Sequence, residues 1–368
     1  MDVLTSLARS FADDYPDARA KFLDAVAAAN AEATPWVNPN PGPRGESVAT
    51  DVAWIGPVDA RRMLVLISAT HGVEGFCGSG VQIDWLRDGG AERLPPNTAA
   101  LLVHGLNCHG FAWWRRVTEE GCDLNRNFVD FTKPLPENPG HDELADAFVP
   151  TSLAPEAVEI AEAKIATWRA VHGEPAFHTA RKAGQYRHAQ SMFFGGFEPS
   201  WARNTLATIV EHFDLASRDL VSVIDVHTGL GPFGYGEPIC GHKRGTVGLD
   251  RVLAMYGEST GLPSEGASFS IPLSGTQREF WQPRLGGRYT YVALEFGTFS
   301  QDNSRKTLRA DHWLHNQGPV DWDAPRSRDI KNAIKHHYYP ATDAWKEMVL
   351  WRSRQVIRQT LNGLETLT

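Results

Sequence analysis

Cysteine is scarce in this 368-residue chain, at four residues (Cys77, Cys108, Cys122, Cys240), and no CxxC spacing occurs. That indicates neither a disulfide framework nor a cysteine-built zinc site, and reduced thiols in a cytoplasmic protein are the simplest reading. Long apolar runs are missing too, since no stretch reaches the roughly 18 residues needed to span a bilayer. The opening MDVLTSLARSFADDYPDARAKF carries Asp2, Arg9, Asp13 and Asp14 where an export signal needs an unbroken apolar segment. Positive charge is in deficit: 36 Lys and Arg stand against 44 Asp and Glu, a net charge of −8. With no basic run to offset it, neither nucleic acid nor a membrane is an expected partner. Internal repeats and low-complexity tracts are also lacking.

What is present is a composition able to bury a sizeable core, 42% hydrophobic and 22% charged. Residues 14–31 are alanine-rich with helical spacing and predict a helix, whereas TPWVNPNPGPRGES (34–47) reads as a loop. Four short apolar runs follow: RMLVLISA (62–69), TAALLVHGLN (98–107), LVSVIDVH (220–227) and YTYVALEF (289–296). Each has the length and residue content of a buried strand. GSGVQIDWLRDGG (78–90) fits a helix that stops at glycine, and residues 343–364 fit a closing amphipathic helix. Strands alternating with helices predict an α/β fold with a largely parallel sheet. Residues 132–219 pass from loop to helical composition and read as an insertion in a single domain spanning 1–368.

Each apolar run ends in chemistry. The first delivers His71 and Glu74, and the second leads to Arg115, Arg116, Asn125 and Arg126. The third ends in Asp225 and His227, and the fourth ends at Glu295. Ligands of open α/β sheets bind beyond the carboxyl ends of the strands, so these residues are candidates for one site. Each alone has a bland alternative: a chance HxxE pair, a core histidine, or a structural salt bridge for Asp225. Glu295 is more pointed, because a carboxylate among apolar neighbours is costly without a cation or a polarised water. Two imidazoles and one carboxylate make the protein ligand set of a catalytic zinc. A second, unligated glutamate then serves as general base. Asp225, on the same side of its strand as His227, could brace it.

HxxE at His71 and Glu74, GCDLNRNF, DVHTG and LEFGT, in that order, resemble the zinc carboxypeptidase superfamily, including its members that deacylate N-acyl amino acids. The resemblance spans roughly residues 60–300 and is nearest to an uncharacterised bacterial branch that shares a GQY…GG segment like residues 184–196. It implies a three-layer α/β/α domain around a mixed, mostly parallel, eight-stranded sheet, with one zinc ion per chain. Matched by motif, His71, Glu74 and His227 correspond to the zinc ligands and Glu295 to the general base. Arg116 corresponds to the arginine that polarises the scissile carbonyl, with Arg115 as the alternative. Asn125 and Arg126 correspond to the pair that holds a substrate carboxylate. The family's substrate-closing tyrosine is left open among Tyr235, Tyr256, Tyr289 and Tyr291.

The expected function is zinc-dependent hydrolysis of an amide beside a free carboxylate, in a short peptide or an N-acyl amino acid. Gln185, Tyr186, His188 and Phe194 are candidates for a pocket wall, with a glycine-punctuated surface hairpin as the alternative. A non-catalytic binding module retaining the metal residues is the reading from another class. A serine hydrolase is disfavoured, because Ser79 lacks the GxSxG context of a nucleophile elbow.

Overall fold

A computed structural model of the chain describes Leu7 and residues 9–367. Among these residues one sheet has seven strands: β1 (Ala33–Val37), β2 (Ala49–Ile55), β3 (Arg62–Ile67), β4 (Thr98–His104), β5 (Leu220–Phe233), β6 (Gly236–Ile239) and β7 (Tyr289–Gly297). Their order is β1-β2-β4-β3-β5-β7-β6. The central pairings β4–β3, β3–β5 and β5–β7 are parallel, and β1–β2, β2–β4 and β7–β6 are antiparallel. The sheet is therefore mixed and seven-stranded, which corrects the expected eight strands and the mostly parallel pairing. The four apolar runs are the four buried central strands.

The strands absent from the sequence reading lack an apolar run. β1 (ATPWV) lies at an edge and contains Pro35, in a stretch that reads as a loop. Buried Asp51 interrupts β2, where Arg19 meets its two oxygens at 2.7 and 2.9 Å. β6 has four residues, GEPI.

Helices cover both faces of the sheet. In chain order they are α1 (Tyr15–Ala28), α2 (Gly75–Arg87), α3 (Cys108–Ala112), α4 (Pro139–Phe148), α5 (Pro155–His172), α6 (Glu174–Lys182), α7 (Trp201–His212), α8 (Val247–Tyr256), α9 (Gln277–Leu285), α10 (Gln301–Asn316), α11 (Pro325–Tyr338) and α12 (Asp343–Thr366). Helix α1 begins where Asp14 accepts the amide of Asp17 and Pro16 occupies the first turn. Alternate strand residues enter opposite layers. Leu64, Leu66, Leu102 and Val226 join a core with α1, α2, α8 and α12. Met63, Val65, Ile67, Val103 and Val223 join a second with α7 and α9. Residues 132–219 contribute α4 to α7. No described helix is long and apolar enough to cross a membrane.

Candidate metal centre and cavity

The carboxyl ends of β3, β5 and β7 bring the polar residues together. In the parallel register Ile67 pairs with Asp225, and His227 pairs with Glu295. Beyond β3 the chain turns at Ala69, whose φ of +60° is left-handed, and then presents Thr70 and His71. A 3-10 turn over Gly72–Glu74 carries Glu74 to the same side. Gly72 is required by close approach: a Cβ there would lie 2.1 Å from the carbonyl carbon of Gly110. That approach lets the amides of Gly72 and Val73 bond the carbonyls of Arg116 and Arg115.

His71, Glu74 and His227 are buried and offer donor atoms all within 4.8 Å of one another. The two Nδ1 atoms face each other at 3.2 Å, and the Glu74 oxygens lie 2.9 Å from His71 Nδ1 and 3.1 Å from His227 Nδ1. The opposite ring nitrogens are held by aspartates, His71 Nε2 by Asp123 at 3.1 Å and His227 Nε2 by Asp225 at 2.8 Å. Asp225 also accepts from Thr70, Gln277 and Tyr291, and the Thr228 amide donates to Glu74 Oε2 at 3.0 Å. Two imidazole nitrogens facing one another beside a carboxylate suit a shared cation better than a hydrogen bond. Carboxylates on their far nitrogens are the usual brace of metal-binding histidines. The donor set therefore fits zinc.

The charges reinforce one another. Burial alone would raise the Glu74 carboxyl, but the His71 and His227 imidazoles hold it well below the usual range. Burial would lower His227, but Asp225 and Glu74 raise it well above the ordinary histidine value. Burial and the nearby Glu74 charge push Glu295 the other way, upward. The Leu230 amide donates to Glu295 Oε1 at 3.1 Å.

The cluster opens into a cavity of about 320 Å³ lined by His71, His227, Glu295, Arg116, Asn125 and Arg126. Arg116 bonds Glu74 and Asp123, each at 3.0 Å. Arg115 turns away to buried Asp311 at 3.0 Å, so of these two neighbouring arginines it is Arg116 that lines the cavity. Arg126 pairs with neither Asp123 nor Asp130; its guanidinium bonds the carbonyls of Lys182 and Asn125. The Asn125 side-chain oxygen accepts the Gln277 amide at 2.8 Å.

Of the expected wall residues, Gln185, Tyr186, His188 and Phe194 do not line this cavity. Gln185 ties its own loop, Tyr186 donates to the Arg126 carbonyl and His188 bonds Asp142. The wall comes instead from Lys182 and Phe193. The Phe193 ring lies 5.2 Å from the Arg116 guanidinium and 5.7 Å from that of Arg126. Sequence reasoning also missed Tyr338, which lines the cavity beside Gly229, and the bracing role of Asp123. The aspartate of DLNRNF was the available signal for the latter.

Fold and cluster thus define an α/β chain with a buried His-Glu-His group at the carboxyl edge of its sheet. The chain belongs to the protein family of unknown function DUF2817, whose sequence model matches residues 11–352. No curated protein matches it. Similar solved structures are metallocarboxypeptidases and succinylglutamate desuccinylases. Carboxypeptidase A from Helicoverpa armigera is 11% identical at a TM-score of 0.48, over 97% of this chain and 74% of that one. The metallo-carboxypeptidase from Pseudomonas aeruginosa is 13% identical at 0.40, over 91% and 69%. The succinylglutamate desuccinylase from Chromobacterium violaceum is 17% identical at 0.37, over 87% and 74%. At these identities and scores none of them assigns an activity to this chain.

Proposed function

We propose that the protein is a metal-dependent hydrolase that cleaves an amide bond beside a free carboxylate. The observation that carries this reading is the convergence of three donor atoms beside the cavity, two of them in its wall, with each imidazole braced by its own aspartate. His71, Glu74 and His227 would hold one zinc ion. Zinc bound there polarises a carbonyl and acidifies water.

The chain's own residues supply the rest. Glu295, oriented by the Leu230 amide, takes a proton from the attacking water. As the C–O bond forms and the C–N bond breaks, Glu295 delivers that proton to the leaving nitrogen. Arg116 keeps N–H groups beyond those given to Glu74 and Asp123, and these stabilise the developing oxyanion. Asn125 and Arg126 receive the substrate carboxylate, and Phe193 steadies both arginines. Residues 132–219 would be an insertion in a single domain, closing the cavity through Lys182 and Phe193.

Two substrate classes fit, a short peptide losing its C-terminal residue and an N-acyl amino acid losing its acyl group. The test is metal analysis of the purified protein, followed by assays of the zinc-loaded form on dipeptides, N-acyl amino acids and their carboxamides. About one zinc per chain, with chelator-sensitive hydrolysis of the free acids, supports the reading. Zinc-loaded protein that cleaves none of them overturns it.

A further inference from the structure

The cavity is short of negative charge. Histidines aside, its charged lining is Arg116, Arg126, Lys182, Lys243 and Arg278 against one carboxylate, Glu295, on a chain of net charge −8. Arg116 alone has two carboxylates, Glu74 and Asp123. Buried Arg126 bonds only carbonyl oxygens, and Asp123 nearby is already engaged with Arg116 and His71. Lys182 makes no ion pair among the described residues, and burial followed by the neighbouring Arg181 pushes its ammonium down to about 7. Among the described residues the one carboxylate near Arg278 is Glu279, at 3.6 Å, whose other oxygen accepts the Gly275 amide, and the guanidinium otherwise meets the neutral Tyr289 phenol. Cations partly removed from water without counter-charges are costly, and an anionic ligand relieves that cost.

These cations form two groups. Arg126 and Lys182 adjoin Asn125 on the side of the donor cluster. Arg278 follows Gln277, whose amide bonds Asn125, and its side chain crosses Gly241, where a Cβ would meet it at 2.8 Å. Lys243 lies two residues beyond Gly241. Tyr291, Ala293 and Glu295, alternate residues of β7, form the cavity face that joins the two groups. One substrate carboxylate answers the first group and leaves the second unmatched.

We infer that the ligand carries two anionic groups, one held by Asn125, Arg126 and Lys182 and the other by Arg278 with Lys243. The half of the amide bound here is therefore an amino dicarboxylic acid, of aspartate or glutamate type. Calling it a substrate rests on the proposed hydrolase; the binding subsite does not. Arg278 sets specificity and touches no reacting atom.

N-acetylglutamate and N-acetylglutamine differ chiefly in the charge of the group that Arg278 would meet. Calorimetric titration of the zinc-loaded protein should show N-acetylglutamate bound about ten- to a hundredfold more tightly. Arg278→Gln should erase that preference and Arg278→Lys should keep most of it. Lys243→Gln, at an exposed position, should reduce it even if the Arg278 variants fold poorly. Equal affinity for the two ligands, or a preference that survives Arg278→Gln, overturns the inference. Turnover separates the two proposals. Charge-selective binding without hydrolysis upholds the second anion subsite and removes the hydrolase. Hydrolysis of both compounds with equal kcat/KM and equal affinity does the reverse.

Discussion

His71 and His227 each turn one ring nitrogen toward Glu74 and the other toward an aspartate, so removing either leaves two protein ligands. Catalytic zinc is held by three. His71→Ala and His227→Ala should each lower zinc content sharply and abolish hydrolysis; full occupancy in either variant would remove that residue from the ligand set. Asp225→Asn should act more mildly, weakening the metal by about 10–100-fold, because it loosens the brace on His227 while the donors remain. Glu295→Gln keeps shape and removes none of the proposed metal ligands. Zinc should stay bound while kcat falls roughly 10²-fold or more, and near-normal turnover would exclude Glu295 as the base. Replacing Arg126 by lysine should weaken the proposed preference for a free acid over its carboxamide. Lysine keeps the charge but loses the fork that grips the Lys182 carbonyl and a carboxylate together. A lost charge-assisted bond costs about 1.5–3 kcal/mol, roughly one to two decades in kcat/KM. Equal rates of the parent protein on acid and amide would show that Arg126 reads no carboxylate.

At the scale of elements, the site depends on one close approach of two backbone segments. Gly72→Ala would force its new Cβ against the Gly110 carbonyl carbon, so the turn carrying His71 and Glu74 must move away from the segment carrying Arg116. Stability should fall by about 1–3 kcal/mol and zinc should bind more weakly. Gly287→Ala, whose Cβ meets nothing within 4 Å, is the control. Unchanged zinc affinity in Gly72→Ala would show that this contact does not position the site. Much of this arrangement was legible beforehand, because a parallel sheet writes its central strands as apolar runs and puts its chemistry at their ends. His71, Glu74, His227 and Glu295 could be read that way. β1, β2 and β6 could not, since edge position, a paired Asp51 or four residues of length leave no apolar run. The brace on His71 was hidden for a different reason: Asp123 is 52 residues away, and only the folded chain decides which histidine it meets. None of the four wall candidates lines the cavity, and the segment enters it through Phe193, the neighbour of one of them. Phe193 and Phe194 are chemically alike, and the left-handed backbone at Phe193 (φ +54°) accompanies its placement in the wall, a conformation that nothing in the sequence announces for a phenylalanine.

Across the whole molecule, histidines buried outside the site set the response to acid. His104, His141, His242, His312 and His337 are all buried, and burial pushes His104 down to about 3 and the other four to about 4. Their polar contacts suit neutral rings: His104 meets Ser79, His141 meets Ser191 and the Ala180 carbonyl, and His242 accepts the Tyr291 amide. In the unfolded chain each titrates near the ordinary value of about 6.5. Between about pH 6.5 and 4 the unfolded chain therefore binds protons that the folded chain refuses, and stability falls as pH falls. Each group contributes up to about 1.4 kcal/mol per pH unit in that window, a large fraction of an ordinary folding free energy when five act together. Glu295, Glu119 and Glu237, carboxyls that burial raises in the fold, work in the opposite direction across this window but are fewer, and His227, raised above its ordinary value, acts above pH 6.5 instead. The urea midpoint should accordingly be highest near neutral pH and drop steeply from pH 6.5 to 5, before ordinary carboxylates protonate. The drop should persist in chelator-treated protein, because none of the five is among the proposed metal ligands. A midpoint that stays flat across this range, with or without zinc, would show that these imidazoles accept protons in place and do not govern acid stability.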